Sequence, residues 1–377
     1  MKSKFNTSLN DAQATEVVPV GPKKFDLERY VSFVAEMENR CHSFTRADSG
    51  ILVYRKVRVA EVFTYGCREM EQSLAWQLGA LQKSMDYLAD VPNFLEPWYG
   101  IGTAAAAFDL DYHWGEGQAP AVKTKFSNVE EALQAEPVPI ENTAIGKHTL
   151  EMIEYFLEKT KGKLPMSVCD SQSPLNVATM VVNLDNFLMD LYLHPEKVME
   201  LLDRIANLII DFYRKQEVMI GDCLVRPGHG FGSSRHFSGN GFSDDMIHML
   251  SPDLYASFIM PSLVKAGRAF GGTAFHSCGN WAKFIDTVVQ IPGLVAIDGA
   301  FSGETDPIPN EGGPFSGAFS NTGIVVNARI VGDRETVKES LESLWNPGMK
   351  LIVATYLEEP AEQEALYHHI HETSTEK

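Results

Sequence analysis

The chain has 377 residues, 44% of them hydrophobic, and a formal net charge of −18. This length allows one large domain or two smaller ones, and the hydrophobic fraction is enough for a sizeable core. The acidic balance disfavours a nucleic-acid-binding surface, whose electrostatic footprint is basic, although a local basic pocket for an anionic small molecule stays compatible with it.

The first 90 residues are predicted to lie outside the main domain. Residues 1–24 are polar and then proline-bearing, which is typical of a flexible tail. The segments FDLERYVSFVAEMENRCHSF and CREMEQSLAWQLGALQKSMDYLA carry apolar residues at near-helical spacing. We therefore expect residues 25–90 to form a helical region that packs on a catalytic domain spanning residues 91–377.

After Gly162 short apolar segments alternate with helical ones. The candidate strands are LPMSVCD, GDCLVRPGHG, GTAFHSCG, GLVAIDGAF, GIVVNARIVG and MKLIVATYL, and PWYGIG and ILVYRKVRV bring their number to about eight, as in an α/β barrel. Strands that alternate with helices pair in parallel through right-handed crossovers. The pattern favours an α/β fold, a (β/α)8 TIM barrel with an N-terminal helical extension, over an open sheet.

The segment GTAFHSCGNW holds the most specific chemistry in the chain. His276 and Cys278 are two residues apart, so on an extended strand both side chains project to the same face. Imidazole and thiolate are preferred zinc ligands, and zinc needs about four of them. The alternative is that Cys278 is a small buried apolar residue and His276 a satisfied core histidine.

Ionisable and soft-ligand side chains follow most of the candidate strands. In a barrel these positions form one ring at the carboxyl ends of the strands, where this fold holds its chemistry. Each residue alone is more often a cap or a solvated charge, so only their joint placement argues for a site. The ring consists of Cys169, Asp170, Gln172, Cys223, Arg226, His229, His276, Cys278, Asp298, Glu304, Asp306, Asn327, Arg329, Thr355, Tyr356 and Glu358.

The segment GHGFGSSRHFSGNGFSDDMIHMLSP, residues 228–252, is predicted to be a long glycine-rich loop. Long loops in compact domains are usually lids or binding loops. The segment carries Arg235, His236 and the adjacent carboxylates Asp244 and Asp245. These carboxylates suit proton transfer or binding of a cation, and they equally suit capping of a helix that starts near Met246.

Several motifs are absent from the sequence. A GxGxxG between strand and helix, a GxxxxGK[ST] loop and a GxSxG nucleophile elbow do not occur, which argues against dinucleotide, P-loop and α/β-hydrolase sites. The five cysteines show no disulfide-like spacing, no charged-then-apolar leader is found, and no apolar run approaches ~20 residues. We expect a cytoplasmic protein that binds neither membrane nor nucleic acid.

Three blocks in this order resemble the uroporphyrinogen decarboxylase superfamily: DSQSPLNVA (170–178), SDDMIHMLSPDLYASFIMP (243–261) and the His276-x-Cys278-Gly279 strand. The resemblance runs from about Phe94 to the C-terminus. It implies a (β/α)8 barrel with its site at the C-terminal mouth, and a homodimer is an expectation at the family level. It also implies one of two activities: decarboxylation of uroporphyrinogen without a metal, or zinc-dependent methyl transfer between a corrinoid protein and a thiol such as coenzyme M.

The details favour the methyltransferases. The arginine-rich MRQAGR stretch of the decarboxylases is replaced by VYRKVRV (53–59), whereas His276 and Cys278 match two of the three zinc ligands of the methyltransferases. The third ligand in that family is a cysteine that should fall within VATYLEE (353–359), and none is present there. A catalytic zinc usually has three protein ligands and one open position. The candidates for the missing ligand are Cys169, Cys223, Asp298, Glu304 and Glu358.

The resemblance therefore predicts a methyltransferase that binds Zn²⁺, a small-molecule substrate and a corrinoid protein, with the loop over residues 228–245 as the natural contact for that partner. A decarboxylating lyase and a non-catalytic binding barrel remain as alternatives. Gln172 and Asp298 are predicted to hold the cofactor. The predicted catalytic residues are His229, Arg235, Asp244, Asp245 and Tyr356. In a lyase, the first four of these would supply charge stabilisation and proton transfer.

Overall fold

The computed structural model describes residues 13–63, 68–97, 100–115 and 120–375. Residues 1–12 of the expected flexible tail, and Trp98 and Tyr99 of the candidate strand PWYGIG, lie outside these ranges. Within the described ranges, no helix combines the length and the apolar character that crossing a bilayer demands.

Parallel strands form the centre of the molecule. In chain order the strands are β1 (Gly50–Arg55), β2 (Tyr112–His113), β3 (Ala121–Val122), β4 (Asn240–Ser243), β5 (Thr273–His276), β6 (Leu294–Ala300), β7 (Val325–Ile330) and β8 (Lys350–Thr355). Six of them form one parallel sheet in the order β1-β8-β7-β6-β5-β4, while β2 and β3 pair as a short antiparallel hairpin. The candidate strand ILVYRKVRV forms β1, so the N-terminal region contributes a strand as well as helices.

Shorter segments continue this sheet beyond β1. The backbone N–H of Asp90 donates to the carbonyl of Val53 in β1 at 2.7 Å. A parallel bridge joins Leu95 to Met166, and a second one joins Met166 to Leu224. The predicted strands LPMSVCD and GDCLVRPGHG are therefore part of the sheet as single-residue bridges, and the bridge at Leu95 lies two residues before the segment PWYGIG.

The sheet closes into a barrel where the segments 165–172 and 223–227 meet β4. A parallel bridge joins Gln172 to Ser243, and the N–H of Gly241 donates to the carbonyl of Pro227 at 2.7 Å. Segment 223–227 and β4 thus share one strand position, beside the segment 165–172. Together with β1, the segment 90–95 and β5 to β8, they give eight positions, which confirms the predicted (β/α)8 barrel.

The prediction of one continuous loop over residues 228–252 is wrong in two places, because Asn240–Ser243 forms β4 and Asp245–Met249 forms a 3₁₀ helix. The sequence NGFS is not typical of a strand, since Gly and Asn are depleted in strands. Pairing with β5 and with residues 171–173 supplies the hydrogen bonds that its own sequence does not favour. Tertiary contacts therefore decide this strand.

Helices follow the strands and cover the barrel. In α7 the apolar residues recur every three or four positions, and that face, which includes Leu201, Ile205 and Ile209, is buried. The helices are α1 (Leu27–Arg46), α2 (Met70–Ser84), α3 (Val129–Gln134), α4 (Ala144–Thr160), α5 (Pro174–Val181), α6 (Leu184–Leu193), α7 (Pro195–Ile220), α8 (Pro252–Leu254), α9 (Met260–Arg268), α10 (Ile285–Val288), α11 (Gly312–Phe319), α12 (Arg334–Leu344) and α13 (Pro360–Thr375), with a π-helical turn at Tyr255–Ile259 between α8 and α9.

A buried carboxylate ties both ends of the chain to the barrel. The side chain of Asp90 accepts a hydrogen bond from the backbone N–H of Val53 in β1 at 2.8 Å. It also accepts hydrogen bonds from Tyr367 and His371, both on α13, at 2.8 and 2.9 Å. Arg40 of α1 adds an ion pair at 3.3 Å. The first and last long helices therefore share one electrostatic anchor beside β1.

Candidate metal centre

The carboxyl end of β5 positions the imidazole and the thiol. Residues Thr273 to Phe275 are buried in the sheet, and His276 is the last residue of the strand. His276 Nε2 lies 3.5 Å from Cys278 Sγ, so the spacing of two residues does bring both side chains to one side. The imidazole is largely buried whereas the thiol is exposed to solvent. The chain turns sharply at Gly279, whose φ of +69° suits glycine.

Asp245 completes a cluster of three ligand atoms with this pair. One carboxylate oxygen of Asp245, the imidazole nitrogen of His276 and the thiol of Cys278 all lie within 4.8 Å of one another. Asp245 Oδ1 is 3.7 Å from His276 Nε2, and it accepts a hydrogen bond from the backbone N–H of Cys278 at 2.7 Å. The cluster therefore joins the ends of two neighbouring strands, β4 and β5.

The register of β4 with β5 explains why Asp245 lies beside His276 and Cys278. In the parallel pairing of β4 with β5, Ser243 lies opposite His276. Asp245 follows Ser243 by two residues, just as Cys278 follows His276. The two side chains therefore leave adjacent strand ends at equivalent positions.

Asp244 anchors the turn that presents Asp245. Its side chain is fully buried and accepts hydrogen bonds of 2.6 Å from Ser173 and from Tyr255. Burial raises the pKa of Asp244 to about 6, although these two hydrogen bonds act in the opposite direction. Both oxygens of Asp244 are occupied inside the protein, so its placement suits a positioning role.

The segment after the strand at Met166 supports the same turn. Asn176 donates to Asp245 Oδ2 at 3.3 Å and accepts a hydrogen bond from the backbone N–H of Met246 at 3.0 Å. Gln172 in turn accepts a hydrogen bond from Asn176 at 2.8 Å. The segments 170–178 and 243–261, the first two blocks of the resemblance, are therefore packed together. Asn176 of the first segment holds the Asp245 carboxylate of the second.

Asp298 of β6 lies behind the imidazole. Asp298 Oδ2 accepts hydrogen bonds from His276 Nδ1 at 2.6 Å and from Arg329 Nε at 2.8 Å, and Asn327 donates to Asp298 Oδ1 at 2.5 Å. The hydrogen bond at Nδ1 assigns the proton to that nitrogen and leaves Nε2 directed at Asp245 and Cys278.

Charge within this group favours a cation at His276 Nε2. Burial raises the pKa of Asp298, but the Arg329 guanidinium and the hydrogen bond from His276 outweigh it and hold the pKa at about 2. Burial lowers the pKa of His276, but its hydrogen bonds to Asp298 and Cys278 outweigh that effect and raise the pKa to about 10. The buried carboxylate therefore stabilises positive charge on the imidazole, whether a proton or a metal ion supplies it.

The three ligand atoms fit zinc. Zinc bonds of about 2.0 to 2.3 Å in tetrahedral array place neighbouring ligand atoms about 3.5 Å apart. The separations of 3.5 Å between Cys278 Sγ and His276 Nε2 and of 3.7 Å between Asp245 Oδ1 and that nitrogen lie close to this value. A carboxylate behind a ligating histidine is the usual second partner of such sites, and Asp298 occupies that place.

Of the candidates for the third ligand, Cys169 faces away from the cluster. Its thiol is buried within 3.5 Å of Tyr213 and Gln216, both on α7. Burial raises its pKa to about 12, although hydrogen bonds with Tyr213 and Gln216 oppose this. Glu304 and Glu358 have exposed side chains. The thiol of Cys223 donates to the carbonyl of Gly162. Because Gly162 precedes the strand at Met166, Cys223 lies at the opposite end of the barrel from the cluster.

The remaining predicted catalytic residues lie outside the three-ligand cluster. His229 pairs with the buried Glu96 at 2.8 Å, inside the barrel. Arg235 is exposed and donates to the carbonyl of Lys163, which also precedes the strand at Met166. Tyr356 is buried just after β8. The structure thus brings Asp245 to His276 and Cys278, and it places Asp298 one hydrogen bond away.

The comparisons with known proteins agree with this architecture. Residues 97–224 match the family model described as Uroporphyrinogen decarboxylase (URO-D). A solved structure, a methyltransferase from Methanosarcina mazei, superposes with a TM-score of 0.64 at 13% sequence identity over 90% of this chain and 98% of that one, which shows a shared fold. No curated protein matches the sequence. Residues 97–224 are thus similar to the uroporphyrinogen decarboxylase family, and the chain as a whole shares its fold with a methyltransferase.

Proposed function

We propose that this protein is a zinc-dependent methyltransferase that moves a methyl group between a corrinoid protein and a thiol or another small methylated substrate. The cluster of Asp245, His276 and Cys278 carries the proposal, because three ligand types suited to zinc meet at the barrel mouth. The fold shared with a methyltransferase supports the same reaction class. Decarboxylation of uroporphyrinogen, as the resemblance implies, needs no metal and gives this cluster no role.

A zinc ion held by these three residues would keep a bound thiol in its nucleophilic thiolate form at neutral pH. The chain's own residues prepare the site for it. Asp298 holds the His276 ring through Nδ1, so that Nε2 faces the other two ligands without reorientation. Asp244 and Asn176 fix the turn that carries Asp245. With three protein ligands a fourth tetrahedral position stays available for the substrate.

The corrinoid protein would dock over the mouth. The segment 302–309 lies beside the cluster, since Asp306 accepts a hydrogen bond from the backbone N–H of Gly279 at 3.0 Å. In that segment Ile308 is 68% exposed. In the glycine-rich segment expected to meet the partner, Phe231 and Ser234 are buried, and the exposed Arg235 donates to the carbonyl of Lys163, away from the mouth. The rim at 302–309 is therefore the better candidate for the contact.

The test combines metal analysis with two assays. Protein purified without chelators should contain about one equivalent of zinc, and His276→Ala and Cys278→Ser should lose it. The wild-type protein should then demethylate methylcobalamin in the presence of a thiol, which is followed by absorbance. Consumption of uroporphyrinogen without metal dependence would instead identify a lyase. Tight binding of a methylated thiol without turnover would identify a binding barrel.

A further inference from the structure

A cavity of about 310 Å³ opens at the end of the barrel opposite to the metal cluster. Its walls include the first residues of three strands, Leu294 of β6, Val325 of β7 and Lys350 of β8. Asp298 follows Leu294 by four residues, so a rise of about 3.3 Å per residue separates the two by roughly 13 Å along β6. The cavity therefore opens at the base of the barrel, and its inner end reaches Ala296 and Asn327, the second of which donates a hydrogen bond to Asp298.

The walls of this base cavity are mostly apolar. They combine aromatic rings from α1 and the 228–239 segment with aliphatic side chains from the strand starts: Phe44, Phe231, Phe237, Val295, Ile324 and Ile352. Phe237, Val295 and Ile324 are only partly buried, so apolar surface faces the cavity. A concave apolar space of this volume, with a few polar groups, is typical of small-molecule sites.

One ammonium group lies in the wall without a carboxylate partner. Lys350 is 8% exposed, and its Nζ donates to the carbonyl of Thr45 at 3.1 Å and lies 5.1 Å from the centre of the Phe44 ring. Within the described ranges, no carboxylate oxygen lies within 4.0 Å of this nitrogen. Burial lowers the pKa of Lys350, while the more distant Asp48 raises it. An anion in the cavity would therefore relieve the desolvation of this charge.

Two histidines and an arginine lie at or near the rim of the cavity. His236 lines the cavity, and its ring centre is 4.5 Å from that of His42. Arg46 lies close enough to His42 for its charge to lower the pKa of that imidazole. Among the described residues that line the cavity, Lys350 is the one Lys, Arg, Asp or Glu, and Arg46 and Asp48 lie nearby with opposite charges.

We propose that the base cavity is a second binding site, for a small organic anion with an apolar, aromatic body and one carboxylate. The body would pack with one face on the adjoining Phe44 and Phe237 rings and the other on the strand starts, and the carboxylate would pair with Lys350. The proposal stands apart from the methyl-transfer reaction, because it uses none of the metal-ligating residues.

Calorimetric titration of the full chain with 2-naphthoate and with its neutral amide, 2-naphthamide, tests the proposal. The two probes share one aromatic body and differ in charge. We expect 2-naphthoate to bind with one-to-one stoichiometry and at least about tenfold more tightly than the amide, because hydrogen bonds to ionised groups are the stronger ones. Lys350→Met should reduce the affinity for the carboxylate to that for the amide. Ile324→Trp, which fills the cavity, should abolish binding of both.

Lys283→Met is the matched control. Lys283 also lies over a phenylalanine ring, at 4.7 Å from the centre of Phe284, and donates to a backbone carbonyl, that of His248. It lies near the mouth, so its substitution should leave binding unchanged. The proposal would be overturned if both Lys350→Met and Ile324→Trp bound 2-naphthoate with wild-type affinity, or if Lys283→Met lost that affinity. So would the absence of saturable binding of 2-naphthoate to a wild-type protein that unfolds cooperatively on heating.

Discussion

Asp298 Oδ2 and His276 Nδ1 lie 2.6 Å apart, and this contact fixes which imidazole nitrogen faces the ligand cluster. Asp298 is fully buried and is held by Arg329 and Asn327 on the neighbouring strand. The orientation of His276 is therefore determined by three side chains from β6 and β7, which are far from it in sequence. Histidine ligands held in this way lose metal affinity when the second partner is removed.

Asp298→Asn should weaken zinc binding by about 10- to 100-fold, because the amide is a poorer hydrogen-bond acceptor for His276 Nδ1. Competition titration with a chromophoric chelator measures this change. Asp286→Asn, at an exposed carboxylate on α10, is the control and should bind zinc as the wild type does. The role assigned to Asp298 would be wrong if the Asp298→Asn variant, shown to be folded by circular dichroism, bound zinc with wild-type affinity.

Asp245→Ala should reduce the zinc content well below one equivalent, because it removes one of three protein ligands. Asp245→Cys should restore it, since thiolate is a preferred ligand and the residue leaves the strand end in register with Cys278. Elemental analysis of proteins purified in parallel provides the measurement. Asp253→Ala, at an exposed acid on α8, is the comparison. Full zinc content in the Asp245→Ala variant would rule out Asp245 as a ligand.

Tyr255→Phe should lower the free energy of unfolding by about 1.5 to 3 kcal/mol, because it deletes a hydrogen bond to the buried Asp244 carboxylate. Urea denaturation measures the loss. Tyr155→Phe is a suitable control, since the Tyr155 side chain is half-buried and no hydrogen bond of its hydroxyl is seen within the described residues. Equal stability of the two variants would contradict the anchoring role of Asp244.

Asp90→Asn should destabilise the protein near neutral pH by at least about 2 kcal/mol, because it removes a buried charge with several partners. Burial raises the pKa of Asp90. The hydrogen bond from His371 and its charge, together with the hydrogen bonds from Val53 and Tyr367, outweigh this effect, so the pKa of Asp90 in the folded protein lies below its usual value. The groups that face it are Arg40 on α1 and Tyr367 and His371 on α13.

A depressed folded pKa stabilises the protein above the unfolded pKa of about 3.9, and the stabilisation is lost as the pH falls through the folded value. The difference in unfolding free energy between wild type and Asp90→Asn should therefore shrink as the pH drops below about 4. Chemical denaturation across this range provides the measurement. Asp86→Asn, at an exposed neighbour, should show no such trend, and a difference that widens as the pH falls below about 4 would contradict the assignment.

Much of the barrel follows from local sequence patterns. Val-, Ile- and Ala-rich segments between helical stretches predict β5 to β8, because such residues fit a sheet that is covered on both faces. The helices α1, α4, α7 and α12 follow from apolar residues at helical spacing. The strand β4 does not, since NGFS has no strand pattern of its own and is held by its neighbours.

The sequence by itself determined the fold class and two of the three residues of the candidate metal cluster. His276 and Cys278 are two residues apart on one strand, and the period of two in a strand brings their side chains together whatever surrounds them. The third ligand was decided by the tertiary structure, because Asp245 meets them only through the register of Ser243 with His276. Strand register depends on hydrogen bonds between segments distant in sequence, which no local pattern encodes. In the proposed site, a carboxylate that follows β4 takes the place of the cysteine expected after β8.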